Sequence, residues 1–396
     1  RCSQFSLQHL MNNLRDQFLL NPDVVFLNHG SFGATPRPVF AAYQEWQRLL
    51  EAQPVQFIAT DMPGYFAAAR ERLAAYLHAA AADLVYVPNA TFGVNVVARS
   101  LKLEPGDEIL TTDHEYGACD NAWMFACGQT GAIYRHQPVV LPVSSVDEMV
   151  EQLWQGVTPR TKVIYLSHIT SPTALRLPVE AICARARQAG ILTLIDGAHA
   201  PGQLDLDLPA LGADFYTGNC HKWMMSAKGA GFLYARPEVQ PLLEPLIVSW
   251  GWGPNRDFSF GSDFLDYFQW WGTKDPAAAL SVPTALDFMA IHNWTAVRQQ
   301  CHELAVETLR RLTELTHLPS IYPSSPDFFV QMVAAPLPQL GAKELKRRLY
   351  AEYRVEAPVV AWNGRQFIRV SIQGYNTRSD VDALVAALAE LLPQFR

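Results

Sequence analysis

Between about residues 80 and 235 the chain alternates short apolar runs with segments whose apolar residues recur every three or four positions, and few folds accommodate that rhythm. DLVYV (83–87), DEILTT (107–112), KVIYLS (162–167), ILTLID (191–196), DFYTG (214–218) and GFLYA (231–235) read as strands. Between them TFGVNVVARSLK (91–102), VDEMVEQLWQG (146–156) and PVEAICARARQAG (178–190) read as helices. Near-continuous apolar strands separated by helices predict an α/β fold with a mostly parallel central sheet covered by helices. After about residue 275 the texture changes to a long helical region (276–315), a strand in DFFVQMVAA (327–335), a helix in AKELKRRLYAEY (342–353), a strand in QFIRVSI (366–372) and a last helix over 377–392. This ending predicts a smaller α+β unit. The Pro/Gly-rich passage 250–276 is rich in aromatic residues and reads as an ordered loop rather than a linker.

With 396 residues, 49% of them hydrophobic, the chain can bury two domain cores. Its net charge is −7 and its Lys and Arg are scattered, which argues against nucleic acid or anionic lipid and for a small-molecule partner. The six cysteines (Cys2, Cys119, Cys127, Cys183, Cys220, Cys301) contain no C-x-x-C pair. That argues against a zinc ribbon and a disulfide framework and leads us to expect reduced thiols in the cytoplasm. The opening RCSQFSLQHL lacks a basic segment followed by an apolar stretch, and no run approaches 18 apolar residues, so neither a signal peptide nor a membrane span is expected.

In open α/β sheets ligands gather at the carboxyl ends of the strands. ILTLIDGAHAPGQ (191–203) ends there in Asp196 and His199, and DFYTGNCHKW (214–223) ends one crossover later in Lys222. Asp196 and Lys222 could therefore reach one crevice. A desolvated lysine forms a Schiff base with an aldehyde, while a carboxylate keeps a pyridine nitrogen protonated, and the pair suits pyridoxal 5'-phosphate. PNATFGVNVVA (88–98) supplies a helix N-terminus where a phosphate would sit at Ala90, Thr91 and Phe92. In TTDHEYGACDNAW (111–123) polar and aromatic residues follow a strand, and a metal reading of His114, Glu115 and Cys119 lacks a second ligand pair. Arg369, among apolar neighbours in FIRVSI, either pairs structurally or offers a fork to a carboxylate.

DGAHAPG, DFYTGNCHKW and the later GFL resemble motifs of the fold-type I pyridoxal-phosphate enzymes, in the class V aminotransferase family. FLNHGSFGATP (26–36), TTDHEYGAC (111–119) and RVSIQGYNTRSDVD (369–382) narrow the resemblance to its isopenicillin N epimerase-like branch. The resemblance implies a large cofactor-binding domain over 21–290 and a small domain from 1–20 and 291–396. Lys222 becomes the Schiff-base lysine, Asp196 the partner of the ring nitrogen and His199 the neighbour of the ring hydroxyl. Asn219 and His221 match further phosphate ligands, and Thr273 resembles a threonine that the neighbouring subunit gives to the phosphate, which implies a homodimer with shared active sites. His114 or Tyr116 would stack on the cofactor and serve as the second acid or base. Arg369 matches the clamp for an amino acid's α-carboxylate, with Asn28 and His29 lining the same pocket.

Cysteine desulfurases share the resemblance but need a nucleophilic cysteine shortly before the carboxylate-binding arginine. Here EAPVVAWNGRQF (356–367) stands there, and no cysteine follows Cys301. An amino acid epimerase or racemase is the reading the motifs favour. The alternative is a β-eliminating C–S lyase of a cysteine derivative or sulfoxide, with transamination and a non-catalytic binding protein behind it.

Overall fold

The computed structural model describes residues 14–254, 256 and 259–395. Cys2 and most of the N-terminal segment assigned to the small domain lie outside the described residues. Seven strands make the main sheet: Leu84–Val87 (β1), Glu108–Thr112 (β2), Ile133–Gln137 (β3), Thr161–Ser167 (β4), Leu192–Gly197 (β5), Phe215–Asn219 (β6) and Gly231–Ala235 (β7). Their order is β1-β7-β6-β5-β4-β2-β3. Only β7 runs against its neighbours; the other four pairings are parallel.

Successive side chains on a strand point to opposite faces, and both faces of this sheet are covered. Val85, Ile109, Val163, Leu194, Phe215 and Leu233 enter one apolar cluster. Their neighbours Leu84, Leu110, Ile164, Ile195, Tyr216 and Phe232 enter the other. Burial on both faces explains the unbroken apolar runs that made six strands legible. The seventh, β3, is an edge strand of sequence IYRHQ whose residues are exposed or half-exposed, so no apolar run marks it.

A second sheet of three antiparallel strands joins Met332–Leu337 (β8), Val359–Trp362 (β9) and Arg365–Ser371 (β10) in the order β9-β10-β8. Helices Trp294–Thr316, Ala342–Tyr353 and Arg378–Leu391 accompany it. The last begins in a capping box between Thr377 and Asp380. The long helical region expected over 276–315 is three helices, broken at Ser281 and Asn293, the latter in left-handed backbone. The N-terminal segment pairs with the C-terminal part of the chain: Val25–Phe26 forms a two-stranded parallel sheet with Val355–Glu356, and Asn28 bridges to Ser371. Residues 28–33 are thereby carried toward the carboxyl ends of β5 and β6.

Candidate active site

The register across the main sheet sets Ser167, Asp196 and Thr217 in one row at the carboxyl ends of β4, β5 and β6. Beyond that row lies a cavity of about 220 Å³, lined by Asp196, His199, Lys222, Asn219, His221, Thr91 and Tyr116 among others. Lys222 is delivered by a tight turn after β6. In it Met225 N–H donates to the Lys222 carbonyl at 3.0 Å, Ser226 N–H donates to the Cys220 carbonyl at 3.0 Å, and buried Met225 adopts φ 62°. A left-handed, non-glycine residue held by its surroundings is the kind of strain that collects at functional turns. Two glycines let other backbone close on this turn. A Cβ on Gly33, itself at φ +71°, would stand 2.0 Å from the His221 carbonyl oxygen, and one on Gly202 would stand 2.3 Å from Trp223 backbone.

Lys222 keeps part of its surface open to the cavity, yet burial of its ammonium pushes its pKa from 10.5 down to about 8, against the pull of Asp196. Lys222 Nζ lies 3.2 Å from His199 Nε2. Burial raises Asp196, while the Ala198 N–H at 2.8 Å and the charge of Lys222 oppose that shift. Its second oxygen has only long contacts, with Cys119 Sγ at 3.5 Å and Tyr165 Oη at 3.4 Å. The result is a buried carboxylate short of a cationic partner.

The helix Ala90–Ser100 points its N-terminus into the same cavity, where Thr91 and Asn89 line the wall. Two of the expected phosphate positions are altered by the structure. The Ala90 N–H is taken by Asn219 Oδ1 at 2.8 Å, and the Phe92 N–H by the capping Asn89 Oδ1 at 2.9 Å. Phe92 packs its ring on Trp271 instead, with centroids 5.6 Å apart. Asn219 is thus engaged in tying β6 to the helix. Thr91 and His221, whose Nδ1 lies 3.1 Å from the Ala230 carbonyl, remain on the cavity wall.

Of the two candidates for the ring that faces the cofactor, the structure brings only Tyr116 to the cavity, 47% exposed. His114 points away. Its ring is 0% exposed, Nδ1 is 2.8 Å from Thr173 Oγ1, Nε2 is 2.8 Å from the Val139 carbonyl, and it packs at a tilt against Trp362. A histidine with both nitrogens engaged in the core cannot exchange a proton with a ligand there. Helix Gly117–Thr130 begins directly after Tyr116, where the sequence had suggested only a loop. Its Gly, Cys, Asn and Thr content is poor in helix formers, and burial of Cys119, Ala122, Trp123 and Ala126 outweighs that propensity.

Asn28 and His29 do not line the cavity either. Asn28 Oδ1 accepts from Ser31 Oγ at 2.6 Å, and its Nδ2 donates to Glu356 Oε1 at 3.2 Å. His29 lies behind the lysine turn, with Nε2 3.0 Å from the Lys222 carbonyl and Nδ1 2.9 Å from Tyr375 Oη. Arg369 is only 6% exposed. Its Nη1 donates to the Ser171 carbonyl and Oγ at 2.6 and 2.9 Å, and its Nη2 donates to Ser31 Oγ at 3.1 Å. Ser31 and Ser171 themselves reach the cavity and had no mark in the sequence; Ser167, at the end of KVIYLS, could have been found by the strand-end rule. Thr273 is exposed and is not among the residues lining this cavity. Among the described residues no cluster of three or more His, Cys, Asp or Glu could hold a metal ion.

Chemically, the cavity offers an amine that is substantially neutral near pH 8, a buried carboxylate, a neutral histidine, a helix N-terminus and an aromatic hydroxyl. Such a set can hold an aromatic aldehyde that carries a ring cation on one side and a phosphate on the other.

The family model described as Aminotransferase class-V matches residues 25–384. The chain is 38% identical over 390 residues to isopenicillin N epimerase of Amycolatopsis lactamdurans, spanning 96% of this chain and 98% of that one. It is 35% identical to isopenicillin N epimerase of Streptomyces clavuligerus, spanning 95% and 97% of the two chains. To hercynylcysteine sulfoxide lyase of Schizosaccharomyces pombe it is 26% identical, spanning 93% and 94%. The fold is also that of the cystine C–S lyase C-DES in complex with cysteine persulfide, with a TM-score of 0.80, 23% identity and coverage of 93% and 98%.

Proposed function

The chain belongs to the class V aminotransferase family, and from that premise we propose that it is a pyridoxal-phosphate enzyme that epimerises an amino acid at Cα. The observation that carries the reading is the convergence of Lys222, Asp196, His199 and the Ala90–Ser100 N-terminus on one cavity. The donor set fits the cofactor. Asp196 lacks the cation that a protonated ring nitrogen would supply, Lys222 is the amine for its aldehyde carbon, and His199 would meet the ring hydroxyl. Thr91, His221 and the helix terminus would hold the phosphate, with Asn219 and Ala90 fixing that end of the helix and Phe92 buttressing it from Trp271. Tyr116 would cover the ring.

When bound, pyridoxal phosphate supplies an electron sink that makes the Cα proton of an amino acid acidic. The protein supplies the rest. Lys222 Nζ takes the proton from Cα, which its lowered pKa of about 8 permits near neutral pH. Inversion needs a second group. Tyr116 follows β2, whereas Lys222 follows β6, on the other side of β5 and Asp196 in strand order. We assign Tyr116 Oη to return a proton on the other face. Arg369, held by Ser31 and Ser171, offers its guanidinium to the substrate α-carboxylate. Asn28 sets Ser31, and His29 holds the backbone beneath Lys222.

We also take 21–290 as the cofactor-binding unit and 1–20 with 291–396 as the smaller one; the seven-stranded sheet lying within the first and the three-stranded sheet within the second support this division. The protein acts on a small amino acid substrate as a cytoplasmic homodimer in which Thr273 serves the partner's phosphate. No helix among the described residues is long and apolar enough to cross a membrane, and the described cysteines are free.

The likeness to a sulfoxide lyase supports a second reading, in which the same proton removal expels a sulfur group and needs no second donor. NMR in deuterated water with L-amino acids, S-substituted cysteines and their sulfoxides separates the two. Deuterium at Cα with loss of optical purity is expected; pyruvate and ammonia would favour elimination.

A further inference from the structure

Trp223, the residue after the lysine, is 0% exposed, and its indole N–H donates to His199 Nδ1 at 3.2 Å. An indole nitrogen can only donate, so Nδ1 must present its lone pair. A neutral imidazole carries one N–H, which then belongs to Nε2, the atom 3.2 Å from Lys222 Nζ at the cavity wall. A second proton on the ring would set two donors against each other at Nδ1.

We propose that Trp223 is a positioning residue that locks His199 as a neutral Nε2–H donor, so that His199 hydrogen-bonds the cofactor's ring oxygen and takes no part in proton transfer. This rests on the pyridoxal-phosphate reading of the cavity. The indole has little room to turn away. The His29 ring lies 5.0 Å from it, Gly30 comes so close that a Cβ there would be 3.4 Å from the indole, and Gly202 abuts the Trp223 backbone. The electrostatics act in the same direction. Burial first, then the charges of Lys222 from the lysine turn and Arg369 from β10, hold His199 well below its usual 6.5; the His29 and His221 rings that also face it are themselves kept neutral near pH 7 by burial. Asp196, three residues earlier, spends its nearer hydrogen bond on the Ala198 N–H. A neutral donor facing an anionic oxygen makes a charge-assisted bond without bringing a second titrating proton to the site.

The test is Trp223→Phe, which keeps an aromatic ring and removes the N–H. Holoenzyme labelled with ¹⁵N-histidine is examined by NMR, with His199→Gln used to assign the resonance, and the absorbance of bound pyridoxal phosphate is titrated in parallel. In the parent protein the His199 proton is expected on Nε2 throughout about pH 5–8. In Trp223→Phe part of the proton population should redistribute to Nδ1, the titration should move upward from its depressed position, and the cofactor absorbance should become pH-dependent at the acid end. Parent His199 protonated on Nδ1 or on both nitrogens, or an unchanged tautomer and spectrum in the variant, would overturn the proposal. If Trp223→Phe fails to fold, the parent tautomer alone decides. A protein that retains no pyridoxal-phosphate absorbance overturns the cofactor reading instead, and the NMR tautomer still distinguishes that failure from this one.

Discussion

In the proposed function Lys222 reacts as the neutral amine, and burial pushes its pKa down to about 8. Because the neutral fraction grows as pH rises through that value, the rate at which cofactor-stripped protein takes up pyridoxal phosphate should climb between pH 7 and 9 and then level off. Stopped-flow absorbance would measure it, and a flat profile would contradict the assigned nucleophile. Lys222→Ala should abolish turnover, since no other amine lines the cavity among the described residues; retained activity would remove Lys222 from the mechanism. Arg369→Ala should act mainly on KM for carboxylate substrates, by about 2–3 kcal/mol, roughly 30- to 150-fold. Steady-state kinetics with KM unchanged would move the carboxylate clamp elsewhere.

The turn after β6 holds its shape because backbone packs where side chains would not fit. Gly33→Ala places a Cβ 2.0 Å from the His221 carbonyl at φ +71°, a strain of about 1–3 kcal/mol. A lowered Tm together with weaker cofactor retention is the expected outcome, and an unaltered Tm would show that the turn can yield. These elements also mark how far the sequence could be read. Buried strands such as ILTLID and DFYTG announced themselves, and with them Asp196 and Lys222, because position at a strand end is written in local pattern. The exposed edge strand β3 and the helix after Tyr116 were not legible, one for lack of apolar residues and the other for poor helix formers. Nor was the choice between His114 and Tyr116. It depends on a long-range contact: Trp362, in the β9–β10 hairpin, donates to the Asp113 carbonyl at 2.7 Å and packs against the inward-turned His114. Ser31 and Ser171 were invisible for the same reason, since only the fold brings them to Arg369.

For the whole molecule, the proposed dimer makes a claim that a single chain cannot. Thr273 is exposed on its own chain, while aromatic surface at Phe32, Trp250 and Trp252 is also open. If Thr273 serves the partner's cofactor, mixing Lys222→Ala chains with Thr273→Ala chains should restore activity, because one site of the mixed dimer then has both residues intact. Failure of the mixture to exceed its components would place Thr273 outside the site. The bond between Lys222 and pyridoxal phosphate is the feature on which the proposed function most directly depends. Borohydride reduction of the purified protein, followed by peptide mass mapping, is expected to find a phosphopyridoxyl group on Lys222 and nowhere else. An unmodified Lys222, or the group on another lysine, would contradict it.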